Sequence, residues 1–138
     1  MSQVSQPRLR QRALVVMSAS VLTSLLIVAP AIAGDVQLSG LSSAPTHQQF
    51  IVKYRDGSAP LATRSALSTS LKTAAAGLSA GQGRALGLQE VRRLAIGPTV
   101  VKADQPLDAA QAELLMRKLA ADPNVEYVEV DQIMRPTL

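Results

Sequence analysis

Hydrophobic residues recur along this chain with two different periods, and the changes of period mark out its elements. Phe50, Val52 and Tyr54 alternate with Ile51, Lys53 and Arg55, the period of a half-buried strand, and Asp56-Gly57 supplies the turn that ends it. Leu67, Leu71, Ala74 and Leu78 then fall at spacings of four, three and four, an apolar stripe on one helical face. The stripe is thin, because Ala, Ser and Thr fill the rest, and Gly81 and Gly83 are expected to break the helix into a loop. The runs "LQEVRRLAIG" and "TVVKAD" lean towards strand on either side of Gly97-Pro98, which predicts a hairpin.

The clearest helix lies in "QPLDAAQAELLMRKLAADPN". Asp108 can accept from the first-turn N–H groups, Gln111 sits three residues on as in a capping box, and Glu113 lies near the positive end. Ala112, Leu115, Met116 and Leu119 form its apolar face, Arg117 and Lys118 lie in its last turn, and Asp122-Pro123 stops it. The last strand, "VEYVEVDQI", follows at once, turning Val128 and Val130 to one face and Tyr127, Glu129 and Asp131 to the other.

This order predicts an α+β fold of the ferredoxin-like type, β-α-β-β-α-β, in which two helices cover one face of a four-stranded antiparallel sheet. Strand four would pair antiparallel with strand one. The other face stays open, and Tyr127, Glu129 and Asp131 make it aromatic and acidic. Residues 34–47, "GDVQLSGLSSAPTH", are small and polar with two glycines and a proline, and predict a flexible lead-in.

Residues 1–33 are organised differently. Arg8, Arg10 and Arg12 precede the mostly apolar run "ALVVMSASVLTSLLIVA", and Ala31 and Ala33 follow in an A-x-A arrangement. That is the order of a secretory signal peptide cleaved between Ala33 and Gly34. The run holds four hydroxyl residues and stops at Pro30, short of the roughly 20 apolar residues of a membrane span. A secreted or periplasmic location follows, with no stable membrane association once the signal is removed.

Removing the signal changes the charge. The whole chain carries +4, but residues 34–138 hold 11 cationic and 10 acidic side chains, a net of +1. A nucleic-acid partner loses its electrostatic basis, and with no Trp, one Phe and two Tyr there is no platform on which bases stack. The chain has no cysteine, so an exported domain of this size relies on a small aliphatic core, and marginal stability in isolation is expected.

The residues offer no catalytic machinery. A Ser/His/Asp set needs a histidine, and the one present, His47, falls in the lead-in beside Thr46, where a solvated loop residue is expected. With no Cys and a single His there is no metal site, and no cofactor is called for. Glu129 and Asp131 lie two apart on an open strand, where a carboxylate pair is ordinarily a solvated face.

The stretch "QQFIVKYRDG", the capped helix running into "LAADPNVEYVEVDQI" and the spacing between them resemble the propeptide domain, inhibitor I9, of subtilisin-like serine proteases. The resemblance covers residues 48–138. It divides the chain into a signal peptide (1–33), a lead-in (34–47), a propeptide-like domain (48–133) and a C-terminal tail (134–138). It implies an intramolecular chaperone and inhibitor whose open sheet face docks on a subtilisin-like protease, in cis within a precursor or in trans. It also implies that the positions of Glu129 and Asp131 cap the N-termini of two protease helices, whose free N–H groups and partial positive charge a carboxylate satisfies. Some members carry a further acidic residue between these two, where this chain has Val130, assigned to the core. A secreted ferredoxin-like interaction module without a protease partner is the alternative.

The same resemblance places Met134, Arg135, Pro136, Thr137 and Leu138 in the substrate cleft as a product-like strand. Strand addition needs free N–H groups at alternate positions, and Pro136 has none. With Thr137 in the primary pocket, Pro136 takes the adjacent position, where proline is tolerated, and Met134 reaches the apolar pocket three places earlier. Thr137 is therefore favoured over Leu138 as the last residue of the processed domain. Deleting residues 134–138 is expected to leave the circular dichroism spectrum unchanged and to weaken inhibition of a subtilisin-like protease at least about tenfold, roughly 1.4 kcal/mol. Undiminished inhibition by the shortened chain would remove the tail from the inhibitory surface.

Overall fold

The computed structural model describes residues 32–80 and 83–132. Along them run β1 (Asp35–Gln37), a 3-10 helix (Leu38–Ser43), β2 (His47–Tyr54), α1 (Ala59–Ala62), α2 (Arg64–Ala75), β3 (Ser79–Ala80), β4 (Arg84–Ala85), β5 (Leu88–Arg93), β6 (Thr99–Leu107), α3 (Ala109–Ala120) and β7 (Val125–Val130). Five strands form one sheet in the order β1-β7-β2-β6-β5, and β3 and β4 pair as a separate two-stranded ribbon. The fold is mixed α+β.

β2 is the centre of the sheet because both of its edges are paired antiparallel, one to β6 and the other to β7. Its alternation does what the sequence predicts: Phe50, Val52 and Tyr54 are fully buried, and α2 and α3 pack over them on one face with Leu67, Leu71, Ala112, Leu115, Met116 and Leu119. β5 and β6 form the expected hairpin, closed by the Leu94 N–H on the Pro98 carbonyl at 2.7 Å.

The sheet has five strands where four were expected. Residues 34–47 account for the difference, since they form β1 and the 3-10 helix instead of a flexible lead-in. β1 lies parallel to β7, with Asp35, Val36 and Gln37 opposite Tyr127, Val128 and Glu129. Without it the outer edge of β7 would present unpaired backbone groups, a recognised liability of sheet edges. The 3-10 helix then packs back towards the end of β7, where Gly40 is buried so closely that a Cβ there would run into Val130 and the Gln132 side chain. His47 is likewise no solvated loop residue. It is 5% exposed, and its Nε2 lies 2.9 Å from the Leu41 carbonyl.

Both main helices start on side-chain caps. Thr63 Oγ1 accepts from the Ala66 N–H, and Asp108 and Gln111 form the complete capping box that their spacing predicts. α2 ends at Ala75, before the glycines expected to stop it, because the chain turns through Gly77 at φ +74°, and the Ala76 carbonyl just before it accepts from Lys118. Leu78 still reaches the core from beyond the helix end.

On β7, Val125 and Val128 are both buried although three residues apart, an odd spacing for a strand. The register explains it: Lys53 faces Tyr127 while Tyr54 faces Val125, so Glu126 is an extra residue bulged out of the ladder. The bulge restores the phase that keeps Val128 and Val130 inward and Tyr127 and Glu129 outward.

One polar chain crosses the covered face. Ser70 Oγ on α2 donates to Asp122 Oδ2 at 2.6 Å, which leaves the Tyr54 hydroxyl to donate to Ser70 Oγ at 3.1 Å. Burial is the main reason that Tyr54 ionises above its ordinary value of 10.0; the Ser70 bond opposes this, and the Asp122 and Glu90 carboxylates add to it. Because the folded state disfavours tyrosinate, the stability that neutral Tyr54 contributes is intact below pH 10 and is lost as pH rises through its folded value. Thr99 is fully buried with no partner for its Oγ1. Ser70→Ala is expected to lower stability by about 1–3 kcal/mol, since it strands a buried hydroxyl, whereas Thr99→Val raises the urea midpoint by removing one. Tyr54→Phe should flatten the alkaline fall in stability; a slope above pH 10 identical to that of the parent would refute the assignment.

Candidate functional site: the open sheet face

The face opposite the helices is built row by row from the register. β2 contributes Gln49, Ile51 and Lys53, the residues out of phase with its buried ones. β7 contributes Tyr127 and Glu129, and Asp131 continues the line, its N–H donating to the Gln49 carbonyl at 3.0 Å. The three residues singled out from the sequence thus lie together on one face, each half-buried. β1 adds a row that sequence reasoning missed: Asp35 stands beside Tyr127 and Gln37 beside Glu129. Its only sequence signal is Val36 between two polar residues, too short for a period. On the far side, β6 contributes Val100 and Lys102, and β5 contributes Gln89 and Arg92. Val100 is fully buried outside the helix-side core, flanked in register by Ile51 and Arg92.

The charges on this face are sorted by edge. Lys53, in the middle, is held by Asp56 at 2.9 Å and by the Tyr54 carbonyl at 3.0 Å, with Glu126 4.0 Å away. The hydrogen bond to Asp56 is the chief cause that raises its pKa above 10.5. Its cation is therefore spent inside the domain. Asp35, Glu129 and Asp131 on the β1–β7 edge, and Lys102 and Arg92 on the other, take part in no ion pair among the described residues. One edge presents free carboxylates and the other free cations, over a shallow apolar middle of Ile51, Val100 and Tyr127.

At the end of β7 a cleft of about 670 Å³ opens between residues 43–49 and Val130, Asp131 and Gln132. His47 borders it, with its Nε2 on the Leu41 carbonyl. No group of three or more His, Asp or Glu that could hold a metal occurs among the described residues, and no helix there is long and apolar enough to cross a membrane. Of the two residues flanking the expected signal cleavage, Ala33 is exposed, while the Gly34 N–H donates to the Ala120 carbonyl at 2.7 Å. Met134, Arg135, Pro136, Thr137 and Leu138 lie outside the described residues.

No protein-family model matches the chain. It is 60% identical over 131 residues to a protein named extracellular protease from Xanthomonas campestris pv. campestris, an alignment covering 95% of this chain and 23% of that protein. It is 33% identical over 125 residues to the extracellular basic protease of Dichelobacter nodosus, covering 80% of this chain and 20% of that one. The chain therefore spans about a quarter or less of the length of the curated relatives it matches. It is similar to a part of larger extracellular proteases.

Proposed function

We propose that this chain is the prosegment of a secreted subtilisin-like serine protease precursor, which assists folding of the protease and inhibits it until released. The observation that carries the reading is the 60% identity that takes in 95% of this chain but only 23% of a protein named extracellular protease. A segment of that size with an open, charge-sorted face fits a partner of the protease unit. The four strands β7-β2-β6-β5 with α2 and α3 on one face fit the ferredoxin-like arrangement of inhibitor I9, which β1 extends by one strand. Signal removal after Ala33 would deliver the protein to the secreted or periplasmic space.

In this reading Glu129 and Asp131 cap helix N-termini of the protease, and Tyr127 fills the apolar contact between them. The capping is favourable because free N–H groups and the helix dipole meet a carboxylate that no cation among the described residues neutralises. Asp35 and Gln37 widen the same edge. Residues 134–138 continue from Gln132 into the substrate cleft, so the sheet face fixes the position and the tail blocks the site. Holding both at once makes binding of the tail intramolecular in effect, which raises affinity without further contacts.

The reading is tested with the chain purified after export and subtilisin as the probe protease. Replacing both carboxylates, Glu129→Lys with Asp131→Lys, is expected to raise the inhibition constant at least about a hundredfold, roughly 2.7 kcal/mol, because two attractive contacts become repulsive. Both side chains point away from the core, so circular dichroism should match the parent. Equal inhibition by parent and double variant would show that the open face does not dock.

A further inference from the structure

The last carbonyl of α3 is capped from outside the helix by a single residue. Among the last-turn carbonyls, those of Arg117 and Leu119 accept from the Ala121 and Asp122 N–H groups, whereas that of Ala120 accepts from Gly34 at 2.7 Å. The two cations of that turn, which ordinarily complement the negative end of a helix, point elsewhere: Arg117 bridges to Glu113 at 2.6 Å, and Lys118 donates to the Ala76 carbonyl. Gly34 is also the one residue type the position accepts, since a Cβ there would lie 2.7 Å from the Val125 carbonyl oxygen and 3.1 Å from that of Glu126.

We infer that the C-terminal end of α3 is a capture site for the chain's own α-amino group, created when the signal peptide is removed between Ala33 and Gly34. The inference rests on that processing site. Before cleavage, Gly34 offers Ala120 a neutral amide N–H. After hydrolysis of the Ala33–Gly34 peptide bond, water supplies the oxygen and proton that complete the Ala33 carboxylate and the Gly34 amine, and the amine takes up a further proton. The same nitrogen is then an ammonium against the negative end of a twelve-residue helix, and its hydrogen bond is charge-assisted. Removal of the leader thereby tightens the joint between β1, α3 and the start of β7, the elements that carry the acidic edge of the docking face. Processing and completion of that face are coupled.

Apart from the helix end, the charged groups on the elements that meet at Gly34 are mostly engaged elsewhere. Asp35 follows it in sequence and is exposed, and Glu126 on β7 is shared with Lys53. Asp122, just past α3, accepts from Ser70 and Asn124, and the cations Arg117 and Lys118 are engaged as described. The negative end of the helix is therefore expected to make the amine titrate above the ordinary α-amino range of about 7.7–8.0. A group whose folded pKa is raised contributes stability that is complete below its unfolded value and is lost as pH rises through the folded one.

The test begins with the full chain exported from a bacterial host and its N-terminus read by intact mass. Part of the sample is acetylated selectively at the α-amine, and both forms are unfolded in urea from pH 6 to 10, with sucrose present to keep a marginal domain folded. The free-amine form should have the higher midpoint at pH 6.5, the difference vanishing by about pH 10, and the Gly34 amine followed by NMR should titrate above the ordinary range. Superimposable midpoints at every pH, or an amine titrating at its ordinary value, would overturn the capture site. If the mass shows a different N-terminus, the processing reading fails by itself. The same comparison, made on a chain released to begin at Gly34 by a scarless protease, then decides the capture site separately.

Discussion

The pairing of β2 on both of its edges is the constraint on which the rest of this structure depends. A strand hydrogen-bonded to β6 on one side and β7 on the other cannot shift register without breaking two ladders, so the burial of Phe50, Val52 and Tyr54 is fixed by both neighbours together. Phe50 and Tyr54 are also the aromatic side chains that the core receives, since Tyr127, the third aromatic of the chain, points outward. The helices have only Leu, Met and Ala to place against them. A core so composed lies under one face of the sheet and leaves the other open.

The bulge at Glu126 carries this constraint into the open sheet face. Without the extra residue, Val125 and Val128 could not both face α3, and either the core would lose a valine or Tyr127 and Glu129 would turn inward. The same irregularity brings Glu126 within reach of Lys53, already tied to Asp56, so the central cation of the open face is neutralised locally and the carboxylates of the β1–β7 edge are not. Sorting of charge to the edges is thus a consequence of how the core is kept in phase. The open face carries an acidic border, an apolar middle and a basic border in a fixed order.

Much of this was legible in the sequence. The capping box at Asp108 and Gln111 places the start of α3, because both reciprocal bonds depend on local spacing alone. The alternation around Phe50 and the turn at Gly97-Pro98 place the central strand and the hairpin for the same reason. Tyr127, Glu129 and Asp131 could be assigned to a shared face from parity. Less was legible where an element is held from outside. The stripe through Leu78 suggested a helix longer than α2, whose end is set by Gly77 and by a lysine from α3.

By itself, then, the sequence determined the α+β class, the strands and helices with periods long enough to read and the acidic outward row on β7, since each of these follows from spacing within a few residues. Tertiary structure decided what becomes of residues 34–47. Their composition is that of a flexible segment, and three residues with one apolar position carry no period. They become β1 and a buried turn because β7 offers an edge, α3 offers a carbonyl, and glycine at 34 and 40 lets the backbone come close enough to take both. A strand of that kind is specified by the surface that receives it, and a surface assembled from β7 and α3, some ninety residues away, cannot be read from the segment itself.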